Sequence, residues 1–196
     1  MESTIARRHA VRLAALPLIS ERGFENVDFS DVARACGLTE ADLSTMFSDT
    51  RQIVTQNDYF AVIVKSFRES PSELSCAAAW VVAIDEIAET MTAEEWAAER
   101  LRNELYARED EVIGGIVNEL MGIILELNAA VAERCGISAQ STPVAVFSGT
   151  VIGTMMTMPL GLYPDRCSWV EAHAVAIETL GPSLDRLLQS SVTPGP

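Results

Sequence analysis

Phe29-Ser-Asp-Val-Ala-Arg-Ala-Cys-Gly37-Leu-Thr-Glu-Ala-Asp-Leu-Ser-Thr-Met-Phe47 is the stretch that decides the fold. A helix over residues 30–36 runs into Gly37, the residue type best suited to a left-handed helix end. After the tight Gly37-Leu38-Thr39 turn, Thr39 and Asp42 form a hydroxyl-to-carboxylate pair that opens a second short helix over 40–47. Helix, tight turn, helix is the geometry of a helix-turn-helix.

The same punctuation continues outward. Thr92-Ala-Glu-Glu95 and Ser168-Trp-Val-Glu171 repeat the capping pattern, and Thr142-Pro143 places proline at a first helical position. Gly23, Gly136 and Gly181-Pro182 read as stops. Helices are predicted at about 5–22, 30–36, 40–47, 51–67, 75–90, 93–107, 111–134, 143–162 and 169–189. Pro17 should kink the first or delay its start. Glu69-Ser-Pro-Ser-Glu-Leu-Ser75 reads as a flexible connection, and neither an internal repeat nor a β-alternating stretch stands out. The expected architecture is all-α: a three-helix head over residues 1–50, a six-helix body over 51–190, and a loose tail at 191–196.

Composition bounds the function. The 196 residues are 48% hydrophobic and 21% charged, which is globular usage. Lys and Arg number 14 against 28 Asp and Glu, a formal charge of −14. So acidic a surface repels phosphate at long range, and any nucleic acid must be engaged by a local basic patch. Cys36, Cys76, Cys135 and Cys167 show no C-x-x-C spacing, so no zinc site is expected and reduced thiols in the cytoplasm are. Val144 to Tyr163 is uncharged and long enough to cross a bilayer. Its Ser, Thr, Pro and Gly content reads as a helix buried in protein, not lipid.

Leu13-Ala-Ala-Leu16, Glu21-Arg-Gly-Phe24, Phe29-Ser-Asp-Val-Ala33, Ala35-Cys-Gly-Leu-Thr39 and Leu43 through Phe47 follow one another in the order and spacing of a known signature. Over residues 7–55 the chain resembles the TetR family of bacterial regulators. The resemblance implies a homodimer that binds a double-stranded operator, a repressor whose body takes a small effector. It also implies a dimer interface on the last two long helices, residues 143–189, where Gly149 and Gly153 share one face. The expected DNA-facing residues are Ser30, Thr39, Glu40, Ala41, Asp42, Ser44, Thr45 and Arg51. The chain departs from the pattern at Ser44, where the family usually carries an aromatic, and at Thr50, where it carries lysine. Residues 1–55 hold six arginines against eight carboxylates. Arg7, Arg8, Arg12, Arg34 and Arg51 are the cations that could offset them.

In the body, Trp80, Met91, Met121, Phe147, Met155 and Met158 offer an adaptable apolar lining, so the effector is expected to be apolar. Arg100 and Asn103 could orient it from a polar stretch, or sit on a solvated helix face. No nucleophile elbow, phosphate loop or H-E-x-x-H occurs, so no catalytic residue, metal or cofactor is assigned. His173 reads as structural. The competing reading is a TetR-like protein that has lost DNA binding and serves as a small-molecule binder or enzyme.

Overall fold

The computed structural model describes residues 2–108, 110–158, 163 and 165–190. The expected tail 191–196 and residues 159–162 of the expected 143–162 helix lie outside these. Among the described residues every regular element is helical: α1 (Glu2–Arg22), a 3-10 turn (Phe24–Asn26), α2 (Phe29–Cys36), α3 (Glu40–Ser44), α4 (Thr50–Thr55), α5 (Asp58–Glu69), α6 (Cys76–Thr90), α7 (Ala93–Arg108), α8 (Asp110–Cys135), α9 (Thr142–Thr157) and α10 (Arg166–Gln189). They divide into two compact units. One comprises Met1–Asp58 with Met91–Glu119, the other Tyr59–Thr90 with Leu120–Pro196.

In the first unit α1 is the spine, packed on α2, α4 and α7. Val11, Ala15, Leu16 and Ile19 form its buried stripe, with Val32, Ala33, Leu43, Phe47, Ile53 and Val54 in the same core. Arg12 interrupts that stripe: it is 4% exposed, and its Nη1 lies 2.5 Å from Oδ2 of the equally buried Asp58. Arg8 Nη2 reaches Asp58 Oδ1 at 2.7 Å, and Arg12 Nε donates to the Ile53 carbonyl at 3.1 Å. Burial alone would raise the Asp58 pKa, but the two guanidinium groups hold it below the ordinary carboxylate range.

This cluster corrects the single helix expected over 51–67. α4 ends at Thr55, Gln56 is extended (φ −67°, ψ 127°), and α5 begins at Asp58. Two carbonyls near this break are taken by arginines, Ile53 by Arg12 and Gln56 by Arg102, whose Nη1 donates at 3.1 Å. A continuous helix would need both for itself. The second short helix is also briefer than expected, ending at Ser44. α1 starts at Glu2 and continues through Pro17, so no late start occurs; Pro17 lies on the exposed side.

In the second unit α10 packs on α6 and α9. Gly181-Pro182 is not a stop. A Cβ at Gly181 would lie 2.7 Å from Ala77 Cβ, so glycine is required for α10 to approach α6, and the helix runs on to Gln189. α10 begins earlier than expected, because Asp165 caps it by accepting from Ser168 N–H at 2.8 Å. Ser141, not Thr142, precedes α9. Nor is the 69–75 connection left free, since Arg134 donates to the carbonyls of Ser70 and Leu74 at 3.0 and 2.8 Å. Among the described residues no helix is long and apolar enough to cross a membrane.

Removing one partner of a buried ion pair strands the other charge. Asp58→Asn is expected to cost about 3 kcal/mol in urea denaturation at neutral pH, with Arg12→Met/Asp58→Leu recovering much of it. A loss within experimental error for Asp58→Asn would show that the pair is not a determinant of the head.

Candidate functional site

Two short helices can be placed with certainty only if their ends are fixed locally, since helices of this length do not nucleate alone. α2 is fixed at both ends. Asp28 accepts from Asp31 N–H at 2.8 Å in a reciprocal capping box, and Gly37 closes it at φ 65° with Leu38 N–H on the Ala33 carbonyl at 2.9 Å. α3 opens with the capping box read from sequence: Thr39 Oγ1 accepts from Asp42 N–H at 3.1 Å, and Asp42 accepts from Thr39 N–H at 3.3 Å. Leu43, fully buried, anchors α3 to the core. Asp49 caps α4 through Gln52 N–H at 2.8 Å.

Anchoring α3 by Leu43 leaves Thr39, Glu40, Ala41, Asp42, Ser44 and Thr45 exposed together, with Arg51 exposed on the first turn of α4 and Ser30 half-buried on α2. The hydroxyls of this surface are engaged within it. Thr39 donates to Asp42 at 2.6 Å, Ser44 to the Glu40 carbonyl at 2.5 Å, and Thr45 to the Asp42 carbonyl at 2.7 Å, while Ser30 accepts from Arg34 at 3.3 Å. Hydrogen bonds from the Thr39 hydroxyl and amide, and to a lesser degree the Arg7 charge, keep the Asp42 carboxyl below the usual range. Of the cations counted from sequence, Arg8 and Arg12 are committed to Asp58 and Arg34 pairs with Asp31 at 2.9 Å. Arg7 lines a groove of about 300 Å³ with Val11, Cys36, Leu38 and Met46 beside the α2–α3 turn.

The candidate effector residues fall in both units. Met91, Arg100 and Asn103, all half-buried, belong to the first, where Asn103 Nδ2 donates to the Glu99 carbonyl at 2.8 Å. Trp80, Phe147, Met155, Met158 and Met121 belong to the second. There Trp80 and Phe147 are fully buried and each packs on Phe67, with ring centroids 6.3 and 6.5 Å apart. Met155 and Met158 are half-buried, and Met121 is 52% exposed.

Sequence reading missed what holds this core. Trp80 Nε1–H donates to His173 Nε2 at 3.1 Å, His173 stacks on Trp169 at 5.4 Å, and Trp169 Nε1–H donates to the Met158 carbonyl at 2.8 Å. An acceptor at Nε2 places the proton of the neutral imidazole on Nδ1, which has no hydrogen-bond partner among the described residues. Burial lowers the His173 pKa to about 4. Among the described residues no group of three or more His, Cys, Asp or Glu is gathered to hold a metal.

The MftR C-terminal domain family matches residues 74–160. No curated protein matches the chain in sequence. Among solved structures, a protein described as a transcriptional regulator of Pseudomonas aeruginosa PAO1 is similar at 15% identity over 92% of this chain and 93% of its own, with TM-score 0.50. One described as a TetR-family transcriptional regulator of Mesorhizobium loti MAFF303099 is similar at 13% identity over 90% of this chain and 96% of its own, with TM-score 0.51. At such identities the likeness is one of fold.

Because His173 is neutral when folded and its pKa lies below the ordinary 6.5, its stability contribution is complete above about pH 6.5 and is lost as pH falls towards 4. The loss should reach about 3 kcal/mol. His173→Gln retains an acceptor for Trp80 without titrating, so it should flatten the dependence of urea stability between about pH 7 and pH 4.5. An unchanged slope would rule His173 out as its source.

Proposed function

We propose that the chain is a TetR-family regulator, a homodimeric transcriptional repressor that binds an operator through α3 and is released by a small apolar effector in its C-terminal part. The match of residues 74–160 to the MftR C-terminal domain family and the likeness of fold support this reading. The observation that carries this reading is the doubly capped α2–turn–α3 with a solvent-facing α3: the fold keeps these short helices rigid and presents the outer face of α3. Ser30, Thr39, Glu40, Ala41, Asp42, Ser44, Thr45 and Arg51 form the proposed DNA surface. Arg7 is added as a cation beside it. Glu40 and Asp42 can accept from cytosine N4, but they oppose phosphate.

For the effector, Trp80, Met121, Phe147, Met155 and Met158 supply apolar and adaptable surface in the second unit and form the proposed set, whereas Met91, Arg100 and Asn103 belong to the first unit and are left out of it. His173 Nδ1–H offers the one kind of polar contact that a mostly apolar molecule with a single acceptor atom would use.

Self-association is supported by what α9 leaves uncovered. Val146 and Met156 are 40% and 47% exposed, and Gly149 and Gly153 between them fall on the same helix stripe with nothing within 4 Å of an added Cβ. Exposed apolar side chains beside small residues suit a second helix at close range. Val175 and Leu180 of α10 are exposed as well. Val146→Glu/Met156→Glu should convert a dimer into a folded monomer in sedimentation equilibrium; a wild-type monomer at micromolar concentration would refute the arrangement.

The DNA surface is tested by footprinting the region upstream of the chain's own gene. Glu40 changes the charge of α3 without removing a cap, whereas Asp42 and Asp49 are both caps. Glu40→Lys should therefore tighten duplex binding and steepen the slope of log K against log salt by about 1. A folded wild-type dimer that gives no footprint even at low salt would instead favour the binder or enzyme that no longer touches DNA.

A further inference from the structure

Cys76 and Cys135 lie 59 residues apart in the chain, yet their Sγ atoms are 3.3 Å apart with no bond between them. Cys76 is the first residue of α6 and Cys135 the last of α8. Both sit on clamped backbone. Arg134, beside Cys135, holds the carbonyls of Ser70 and Leu74, while Ala77 N–H, beside Cys76, donates to Asp185 of α10 at 3.1 Å. The sulfurs open onto a groove of about 230 Å³ lined also by Ser72, Leu74, Arg134 and Asp185. Cys76 is 6% exposed and Cys135 is half-buried, so Cys135 is the more accessible thiol.

The geometry points to a peroxide-reactive dithiol, in which a hydroperoxide oxidises Cys135 and Cys76 closes on it to form a disulfide between α6 and α8. The Cys76 hydrogen bond draws Cys135 down to about 7 against its burial, with help from Arg134 and opposition from Asp185. The same hydrogen bond and burial push the Cys76 thiol up. A thiolate with a thiol in contact is the arrangement that both reacts and resolves. A disulfide is about 2.0 Å long, so the sulfurs need only approach by about 1.3 Å.

The chemistry balances. The Cys135 thiolate attacks a peroxide oxygen, the O–O bond breaks, and a sulfenic acid forms as water leaves (an alcohol, for an organic hydroperoxide) once the departing oxygen takes the proton that Cys135 gave up. Cys76 Sγ then attacks the Cys135 sulfur, the S–O bond breaks, and the sulfenic oxygen departs as water with the Cys76 proton. Two thiols are oxidised and one peroxide is reduced.

The test uses the full chain and one equivalent of hydrogen peroxide, and needs neither DNA nor effector. Titratable thiols should fall from the four of the reduced chain to two, the mass should drop by two hydrogen atoms, and digestion should yield one cross-linked peptide joining Cys76 to Cys135. In Cys76→Ser, which keeps an O–H donor beside Cys135, dimedone should label Cys135 about tenfold faster than the exposed Cys167. Wild-type peptide mapping stands even if that variant fails to fold. Oxidation of Cys167 or Cys36 while Cys76 and Cys135 stay reduced, or cross-links between chains only, would overturn the proposal.

Discussion

The buried Arg12–Asp58 pair is the constraint from which the first unit follows. Taking two ions out of water costs several kcal/mol each, and here the cost is offset by a second arginine on Asp58 and by the Ile53 carbonyl on Arg12. Those extra contacts do structural work. They tie α1 to the end of α4 and the start of α5, and so determine where the chain must turn. Arg12 also lies over the Phe47 ring at 5.4 Å, just past α3. Apolar replacements would fill the same space without specifying which carbonyl faces which helix, so the pair contributes register more than net stability.

The same logic accounts for the acidity of the head. Asp28, Asp42 and Asp49 each satisfy free amides at the start of α2, α3 or α4, helices of eight, five and six residues. At that length a carboxylate cap contributes a large share of the stability. Negative charge therefore accumulates where a DNA-binding protein would place positive charge, while Arg8 and Arg12 are withdrawn into the core. Local stability and phosphate affinity compete in this sequence for the same few positions. In the proposed DNA-binding role, recognition would accordingly rest on Arg7 and on base contacts from α3.

What could be read from the sequence was what is decided locally. The α2–turn–α3 unit, the Thr39 and Thr92 caps and the limits of α6 and α7 follow from residues three or four apart. What could not be read depends on partners distant in sequence. The break after Thr55 is set by Arg12 and Arg102, each more than forty residues away. Gly181 looked like a stop because glycine ends helices, but its meaning comes from Ala77. Trp80 was singled out as apolar lining and His173 as structural; nothing local reveals that 93 residues separate a donor from its acceptor.

In the second unit the distant contacts converge on α6. Along α6, Cys76 faces Cys135, Ala77 meets both Asp185 and Gly181, and Trp80, one turn further, meets His173. Three of these contacts are with α10. Because Gly181 leaves no room for α6 and α10 to come closer, a change at Cys76 cannot be absorbed by compressing that crossing. Sliding or rotation of α6 would alter the Trp80–His173 hydrogen bond. A ligand that engages His173 and an oxidant that closes the dithiol would thus bias the same element. By linkage, closing the dithiol would then change the affinity for such a ligand, and the bound ligand would shift the dithiol's reduction potential by the same free energy.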